Sequence, residues 1–236
     1  MVETNILKWL EVRKATSPEL IPNRSALLVV DMQEYQVRKE WPVYKSAQTL
    51  VPGMLDYFVK QTATVAEPNI IKLIDFFRAH NLRIIYTMYS SFAKDGSDMP
   101  PKVQEINRAV PEKYGDRLFP HKDHPGSKII ESLKPEEGDL VVVKNTSNVF
   151  TSTKLEFVLK NMGIEQLLVT GVVTNMCVEG AARTAAEIGL DVFLIDDACA
   201  AWSPQMHIHT LQSFGLFFGW VMTTDEAMIE LRKKMK

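Results

Sequence analysis

The chain has 236 residues, of which 46% are hydrophobic, and a formal net charge of −2. This length and apolar content suffice for one sizeable core, so we expect a single domain over residues 1–236. Lys and Arg are scattered along the chain, which excludes the basic footprint of a nucleic-acid-binding protein. Two cysteines, no signal-peptide-like start and no apolar run of membrane-spanning length favour a cytoplasmic protein without a structural disulfide.

The first part of the chain predicts two helices and two strands around an irregular stretch. Residues 4–15 carry apolar side chains at helical spacing, and residues 26–31 (ALLVVD) form an apolar run typical of a buried strand. Residues 32–67 show no regular period, so we expect an irregular lid or interface segment. Residues 68–80 then predict an amphipathic helix, and residues 82–88 a second strand.

The second half of the chain is more regular, after another irregular stretch at residues 90–126. Predicted strands alternate with predicted helices, namely strands 139–144, 166–173, 191–196 and 218–223 and helices 153–162, 174–189 and 204–214, before a charged final helix. This alternation predicts a three-layer, doubly wound, Rossmann-like α/β fold with a mostly parallel six-stranded sheet. The glycine signatures of nucleotide-binding loops do not follow the first strand, which disfavours a nucleotide-binding function.

Three polar residues come at the carboxyl ends of predicted strands, where a doubly wound sheet binds its ligands. They are Asp31, Lys144 and Cys177. A buried lysine needs an anionic partner, so Lys144 should pair with Asp31 or a Cys177 thiolate, unless it reaches the surface. With Thr174 as the N-cap, Cys177 would lie in a first helical turn, which lowers the pKa of a thiol. The alternative is a buried structural cysteine.

Three motifs carry a resemblance to a known family. They are LLVVDMQ at residues 27–33, VVVKNTSNVFTSTKL at 141–155 and GVVTNMCVEGAARTAAEIG at 171–189. Residues 69–87 and 209–226 give weaker support. The chain thus resembles the isochorismatase-like cysteine hydrolases, the group of nicotinamidase, N-carbamoylsarcosine amidohydrolase and biuret hydrolase, over most of residues 25–226.

The resemblance implies a role for each residue of this set. Cys177 would be the nucleophile, Asp31 the base that takes its proton and passes one to the leaving amine, and Lys144 the charge that stabilises both anions. A cis peptide would join Val172 to Val173, and the N–H groups of Val173 and Cys177 would form the oxyanion hole. Nicotinamidases hold a metal with histidines after the second strand, where this chain reads TMYSSFAKDGSDMP, so we expect no metal and no cofactor.

The cysteine also narrows the expected chemistry. Isochorismatases proper generally lack it, so Cys177 favours a cysteine amidohydrolase that cleaves a small amide, carbamoyl or ureido substrate through a thioester. A vinyl ether hydrolase and a non-catalytic ligand-binding protein are the alternatives. Family members are commonly homo-oligomers, with helix 4–15 and segment 32–67 as candidate interfaces here. Candidate residues of the substrate pocket are Gln33, Tyr35, Tyr89, Asn148, Phe150, Thr174 and Asn175, whereas Cys199 is expected to be a packed thiol.

Overall fold

A computed structural model describes residues 2–109 and 111–235 of the chain. Six strands form one sheet: β1 (Ser25–Val30), β2 (Arg83–Tyr89), β3 (Leu140–Lys144), β4 (Gln166–Val172), β5 (Asp191–Ala200) and β6 (Trp220–Met222). Their order is β3-β2-β1-β4-β5-β6, and every neighbouring pair is parallel. The predicted doubly wound α/β fold is confirmed, and the order reverses between β1 and β4, where such sheets open a ligand crevice.

Helices cover both faces of the sheet. They are α1 (Val2–Ala15), α2 (Glu34–Val37), α3 (Pro42–Leu50), α4 (Asp56–Gln61), α5 (Glu67–Ala79), α6 (Pro101–Ala109), α7 (Pro111–Tyr114), α8 (Val149–Ser152), α9 (Leu155–Asn161), α10 (Glu179–Glu187), α11 (Pro204–Phe217) and α12 (Thr224–Arg232). The longest of the described helices is too short and too polar to cross a bilayer.

The two faces of β1 explain its continuous apolar sequence. Leu27 and Val29 join the core cluster that includes residues of α5 and α12. Leu28 and Val30 join the cluster on the opposite face, with residues of α9, α10 and α11. Because both faces are buried, the strand does not alternate apolar with polar residues.

The prediction of an irregular segment over residues 32–67 is wrong. The structure places α2, α3, α4 and a π-helical turn (Thr62–Ala66) there, and this turn leads directly into α5. Short helices of this kind gain their stability from tertiary contacts. Their sequences therefore do not show a long amphipathic pattern from which a helix could be predicted. The predicted helix 153–162 corresponds to α9, with the short α8 just before it, and residues 90–126, predicted to be irregular, contain α6 and α7.

The predicted N-terminal helix lies within α1, which packs on the last third of the chain. The indole Nε1 of Trp9 donates to the carbonyl oxygen of Leu216 at 3.1 Å. In the opposite direction, from β6 to α1, the indole Nε1 of Trp220 donates to the carbonyl oxygen of Arg13 at 3.1 Å. A cavity of about 440 Å³ lies between α1, α11 and β6.

Candidate active site

The fold brings Asp31, Lys144 and Cys177 together at the carboxyl edge of the sheet. Asp31 directly follows β1, Lys144 ends β3, and Cys177 lies in a π-helical turn (Thr174–Val178) between β4 and α10. The Lys144 Nζ atom is 2.7 Å from Asp31 Oδ2, and the two side chains are 1% and 0% exposed. Lys144 therefore forms a buried ion pair, and the alternative in which it reaches the surface is excluded.

Asp31 is fixed from both its side chain and its backbone. The Thr87 hydroxyl donates to Asp31 Oδ1 at 2.6 Å, and the Asp31 N–H donates to the carbonyl oxygen of Thr87 at 3.2 Å. Asp31 has a φ of +49°, in the left-handed region that side chains seldom adopt. These contacts direct Oδ2, the other carboxylate oxygen, toward Lys144.

Lys144 has a full set of partners for its ammonium group. Besides the carboxylate of Asp31, Nζ donates to the carbonyl oxygens of Thr146 at 3.2 Å and Ser147 at 2.9 Å. It also lies 4.4 Å from the centre of the Tyr89 ring, in a cation–π contact. A buried charge is tolerated only when it is paired and hydrogen-bonded, and both conditions hold here.

The Cys177 thiol lies beside this ion pair and is 6% exposed. The pKa of Cys177 is raised to about 12, chiefly by burial and then by the negative charge of Asp31, while Lys144 acts in the opposite direction. The expectation that this thiol ionises easily is therefore wrong, because desolvation outweighs the effects of the cation and the helix start. Thr174 is also not the N-cap, since Val173 occupies that position.

The segment between β4 and Cys177 has an unusual backbone. The peptide bond between Val172 and Val173 is cis, at the position that the resemblance implies. Just before it, Gly171 has a φ of +103°, and a Cβ at this position would lie 2.1 Å from the carbonyl oxygen of Val30. Only glycine allows this close approach of β4 to β1, which fixes where the Cys177 turn begins.

A cavity of about 120 Å³ opens at the thiol. Its lining residues are Tyr35, Gln36, Val43, Phe58, Tyr89, Phe119, Ser147, Val173, Met176, Cys177 and Trp202. Tyr35 and Tyr89 belong to the predicted pocket residues. Val173 and Cys177 were predicted as site residues, and Ser147 and Met176 lie within the motifs at 141–155 and 171–189. The sequence offered no signal for the remaining lining residues, which are Gln36, Val43, Phe58, Phe119 and Trp202. This cavity is the candidate active site because it reaches Cys177, whereas the larger cavity beside α1 does not.

Five predicted pocket residues do not line this cavity, namely Gln33, Asn148, Phe150, Thr174 and Asn175. The buried Gln33 side chain accepts from the Tyr89 N–H at 2.7 Å and donates to the Ser127 carbonyl oxygen at 2.8 Å, so it ties loops together. The Asn148 side chain caps α8 and donates to the hydroxyl of Thr184 at 2.7 Å.

Phe150 and Thr174 are likewise engaged away from the cavity. Phe150 packs against the core cluster beneath α9 and α10. The Thr174 hydroxyl lies 2.9 Å from His207 Nδ1, and His207 Nε2 lies 2.7 Å from Asp196 Oδ1. Since a carboxylate can only accept, the His207 Nε2–H donates to Asp196, and the other ring nitrogen faces the Thr174 hydroxyl. His207 thus supports the turn that carries Cys177, a role that the sequence did not reveal.

His124, Asp123 and Cys199 lie outside the cavity at Cys177, and His124 and Cys199 are held by local contacts. Among the residues that the structure describes, no cluster of three or more His, Cys, Asp or Glu side chains could hold a metal ion. His124 Nε2 is 2.8 Å from Asp116 Oδ2, and the Asp123 side chain is solvent-exposed. Cys199 is buried, its thiol is 3.6 Å from the Val169 carbonyl oxygen, and burial raises its pKa.

The chain is thus a doubly wound α/β protein that brings a buried cysteine, aspartate and lysine together at the carboxyl edge of its sheet. The isochorismatase domain model matches residues 25–226. Ureidoacrylate amidohydrolase RutB of Acinetobacter baylyi is 30% identical over 219 residues, covering 88% of this chain and 83% of that protein. Nicotinamidase 3 of Arabidopsis thaliana is 28% identical over 196 residues, covering 82% and 93%.

The solved structures agree. A cysteine hydrolase from Pseudomonas syringae pv. phaseolicola superposes with a TM-score of 0.75 at 25% identity, covering 93% of this chain and 99% of that one. The chain therefore belongs to the isochorismatase family, as its motifs predict. The names of its relatives agree with the predicted class, a hydrolase of non-peptide carbon–nitrogen bonds.

Proposed function

We propose that this chain is a cysteine amidohydrolase that cleaves the carbon–nitrogen bond of a small amide, carbamoyl or ureido compound. The observation that carries the proposal is the Cys177 thiol at the end of a small cavity, beside the buried pair of Asp31 and Lys144. A nucleophile, a proton acceptor and a fixed positive charge thus meet at one point. The amidohydrolase relatives support this class of reaction.

In the first step, the Cys177 sulfur attacks the substrate carbonyl carbon while the Asp31 carboxylate takes the thiol proton. The carbonyl electron pair moves onto oxygen, and the N–H groups of Val173 and Cys177 stabilise that oxyanion. Asp31 then gives its proton to the leaving nitrogen, the carbon–nitrogen bond breaks, and a thioester remains. A water molecule attacks the thioester carbon while Asp31 accepts its proton. The carbon–sulfur bond then breaks, the acid product leaves, and Asp31 returns the proton to the Cys177 sulfur.

The raised pKa of Cys177 makes Asp31 necessary for this reaction. With a pKa of about 12, the thiol carries its proton at neutral pH, so attack requires a base in contact with it. The negative charge of Asp31 acts directly on this thiol, so its carboxylate is the base placed to accept the proton. The Lys144 ammonium, held by Asp31 and two carbonyl oxygens, stabilises whichever of the two neighbours is anionic.

Ammonia release tests the proposal. We would assay a panel of small amides, N-carbamoyl compounds and ureido compounds with the wild type, Cys177→Ala and the matched control Cys199→Ala, each with and without a chelator. The proposal predicts release by the wild type and by Cys199→Ala, none by Cys177→Ala, and no effect of the chelator. Activity retained by Cys177→Ala would contradict the thioester route, and hydrolysis of a vinyl ether alone would favour the alternative reaction.

We also propose a cytoplasmic location and a homo-oligomeric assembly. Both cysteines are free and buried, which suits a reducing compartment. Large apolar side chains are exposed on α1 and on the segment of α3 and α4, for example Trp9 at 49% and Leu50 at 76%. Exposed apolar side chains of this size are typical of surfaces that associate. Sedimentation of the full chain would test the assembly.

A further inference from the structure

Among the residues that the structure describes, no charged side chain lines the cavity at Cys177. The lining side chains are apolar, aromatic or uncharged polar groups, and Asp31 and Lys144 are not among them. Asp31 and Lys144 neutralise each other at 2.7 Å, so the pair adds no net charge to the cavity. Arg38, the residue after α2, is held by two contacts to Glu67 at 2.9 and 3.0 Å. None of these cations is free to bind a substrate anion.

The walls are also rigid and largely aromatic. The Phe119 ring lies 6.0 Å from the Tyr35 ring and 5.1 Å from the Tyr89 ring, measured between centroids. The Tyr35 hydroxyl donates to the Tyr89 carbonyl oxygen at 2.8 Å, so this donor is not available to a ligand. The Tyr89 ring already contacts the Lys144 ammonium at 4.4 Å, so that face of the ring is not available for a cation–π contact with a ligand.

The volume sets the size of the occupant. The cavity measures about 120 Å³. For comparison, a dry apolar cavity of about 150 Å³ holds one benzene molecule. A group of four to six carbon atoms therefore fills the space beside the thiol, and a longer chain would extend out of it.

We infer that the enzyme selects an uncharged substrate, namely a primary amide or N-carbamoyl compound whose acyl side carries a compact aliphatic or aromatic group. The inference rests on the proposed function and names its substrate class. A carboxylate on the substrate would lose its hydration without gaining a cation, which is costly in an apolar site. The RutB relatives are named for ureidoacrylate, a carboxylate, and we expect this chain to discriminate against that compound.

Three compounds of nearly equal shape test the inference. Isobutyramide is neutral, methylmalonamate replaces one methyl group with a carboxylate, and alaninamide replaces it with an ammonium group. For the wild type, we expect kcat/KM for isobutyramide to exceed that of each charged analogue by about 100-fold or more. Ureidoacrylate and its neutral methyl ester form a second pair, and we expect the ester to be the better substrate.

A variant with an added cation provides the matched test. Val43 lines the cavity from α3, so Val43→Arg should raise kcat/KM for methylmalonamate relative to isobutyramide by about tenfold or more, and Val43→Met should leave that ratio unchanged. A charged analogue that the wild type prefers would overturn the inference but leave the amidohydrolase intact. Turnover of charged and neutral analogues alike would overturn it too. No turnover of any compound, with no acylation of Cys177, would instead contradict the proposed function and the inference with it.

Discussion

The protonation state of Cys177 gives the sharpest quantitative prediction. Its pKa of about 12 means that only about one thiol in 100,000 is ionised at pH 7. An unperturbed thiol, with a pKa of about 8.5, is ionised to about 3% at this pH. Since the thiolate is the species that reacts with alkylating agents, Cys177 should react about 3,000-fold more slowly than an unfolded cysteine.

Iodoacetamide labelling followed by mass spectrometry measures this rate. Cys199→Ala leaves Cys177 as the single cysteine, and the same variant unfolded in urea is the control. Between pH 7 and 9 the folded rate should rise about tenfold per pH unit, because the thiolate fraction does. Fast labelling at pH 7, at a rate that does not change with pH, would show that Cys177 is already a thiolate. It would refute the conclusion that burial raises the pKa of this thiol.

The same shift links stability to pH. A thiol whose folded pKa lies above its unfolded pKa stabilises the protein below about pH 8.5, and this stability is lost as the pH rises toward 12. The free energy of unfolding of the wild type should thus fall relative to Cys177→Ala over this range. A difference between the two proteins that stays constant with pH would contradict the shift.

Further substitutions test the ion pair, the close approach of the strands and the support of the turn. Lys144→Met leaves the Asp31 carboxylate buried without its cation and should cost about 3 to 5 kcal/mol in the free energy of unfolding, of which Asp31→Leu in the same chain should restore most. Gly171→Ala should yield no folded protein, because the new Cβ would meet the backbone of β1 at 2.1 Å. His207→Ala should lower kcat about tenfold with little change in the melting temperature, whereas His207→Gln, which can still contact Thr174, should retain most of the activity.

Each of these expectations has an outcome that contradicts it. If chemical denaturation gives Lys144→Met the same free energy of unfolding as the wild type, the Asp31–Lys144 pair is not buried. Gly163→Ala is the control for Gly171, since Gly163 also has a positive φ, of +68°, but has no atom within 4 Å of the added Cβ. If both alanine variants fold equally well, the close approach is not the cause. Equal kcat for the His207 Ala and Gln variants would contradict a positioning role.

The sheet was predictable because its physical signal is local. β1 is buried on both faces, so its apolar run can be recognised as a strand without knowing which strands lie beside it. The position of Asp31, Lys144 and Cys177 at strand ends followed from the rule that parallel strands present their carboxyl ends at one edge. Their distances did not follow, since they depend on which strands are neighbours.

The errors arose where stability is not local. Residues 32–67 form short helices whose contacts lie in distant segments, as in the hydrogen bond from the Tyr35 hydroxyl of α2 to the carbonyl oxygen of Tyr89 in β2. The pKa of Cys177 was assigned from its position near a helix start, whereas the structure shows that burial decides it. Likewise Trp202 and Phe119 reach the cavity from loops, and neither residue carries a motif.

The central claim is that Cys177 carries the acyl group of the substrate. The wild type would be mixed with an amide that it hydrolyses, quenched in acid within milliseconds and digested. Mass spectrometry would then locate the acyl group. The account predicts an adduct with the mass of the acyl group on the peptide that contains Cys177, none on the peptide that contains Cys199, and none in Asp31→Asn. The account would be contradicted if the wild type hydrolysed the substrate without an adduct on Cys177 and if Cys177→Ala hydrolysed it as well.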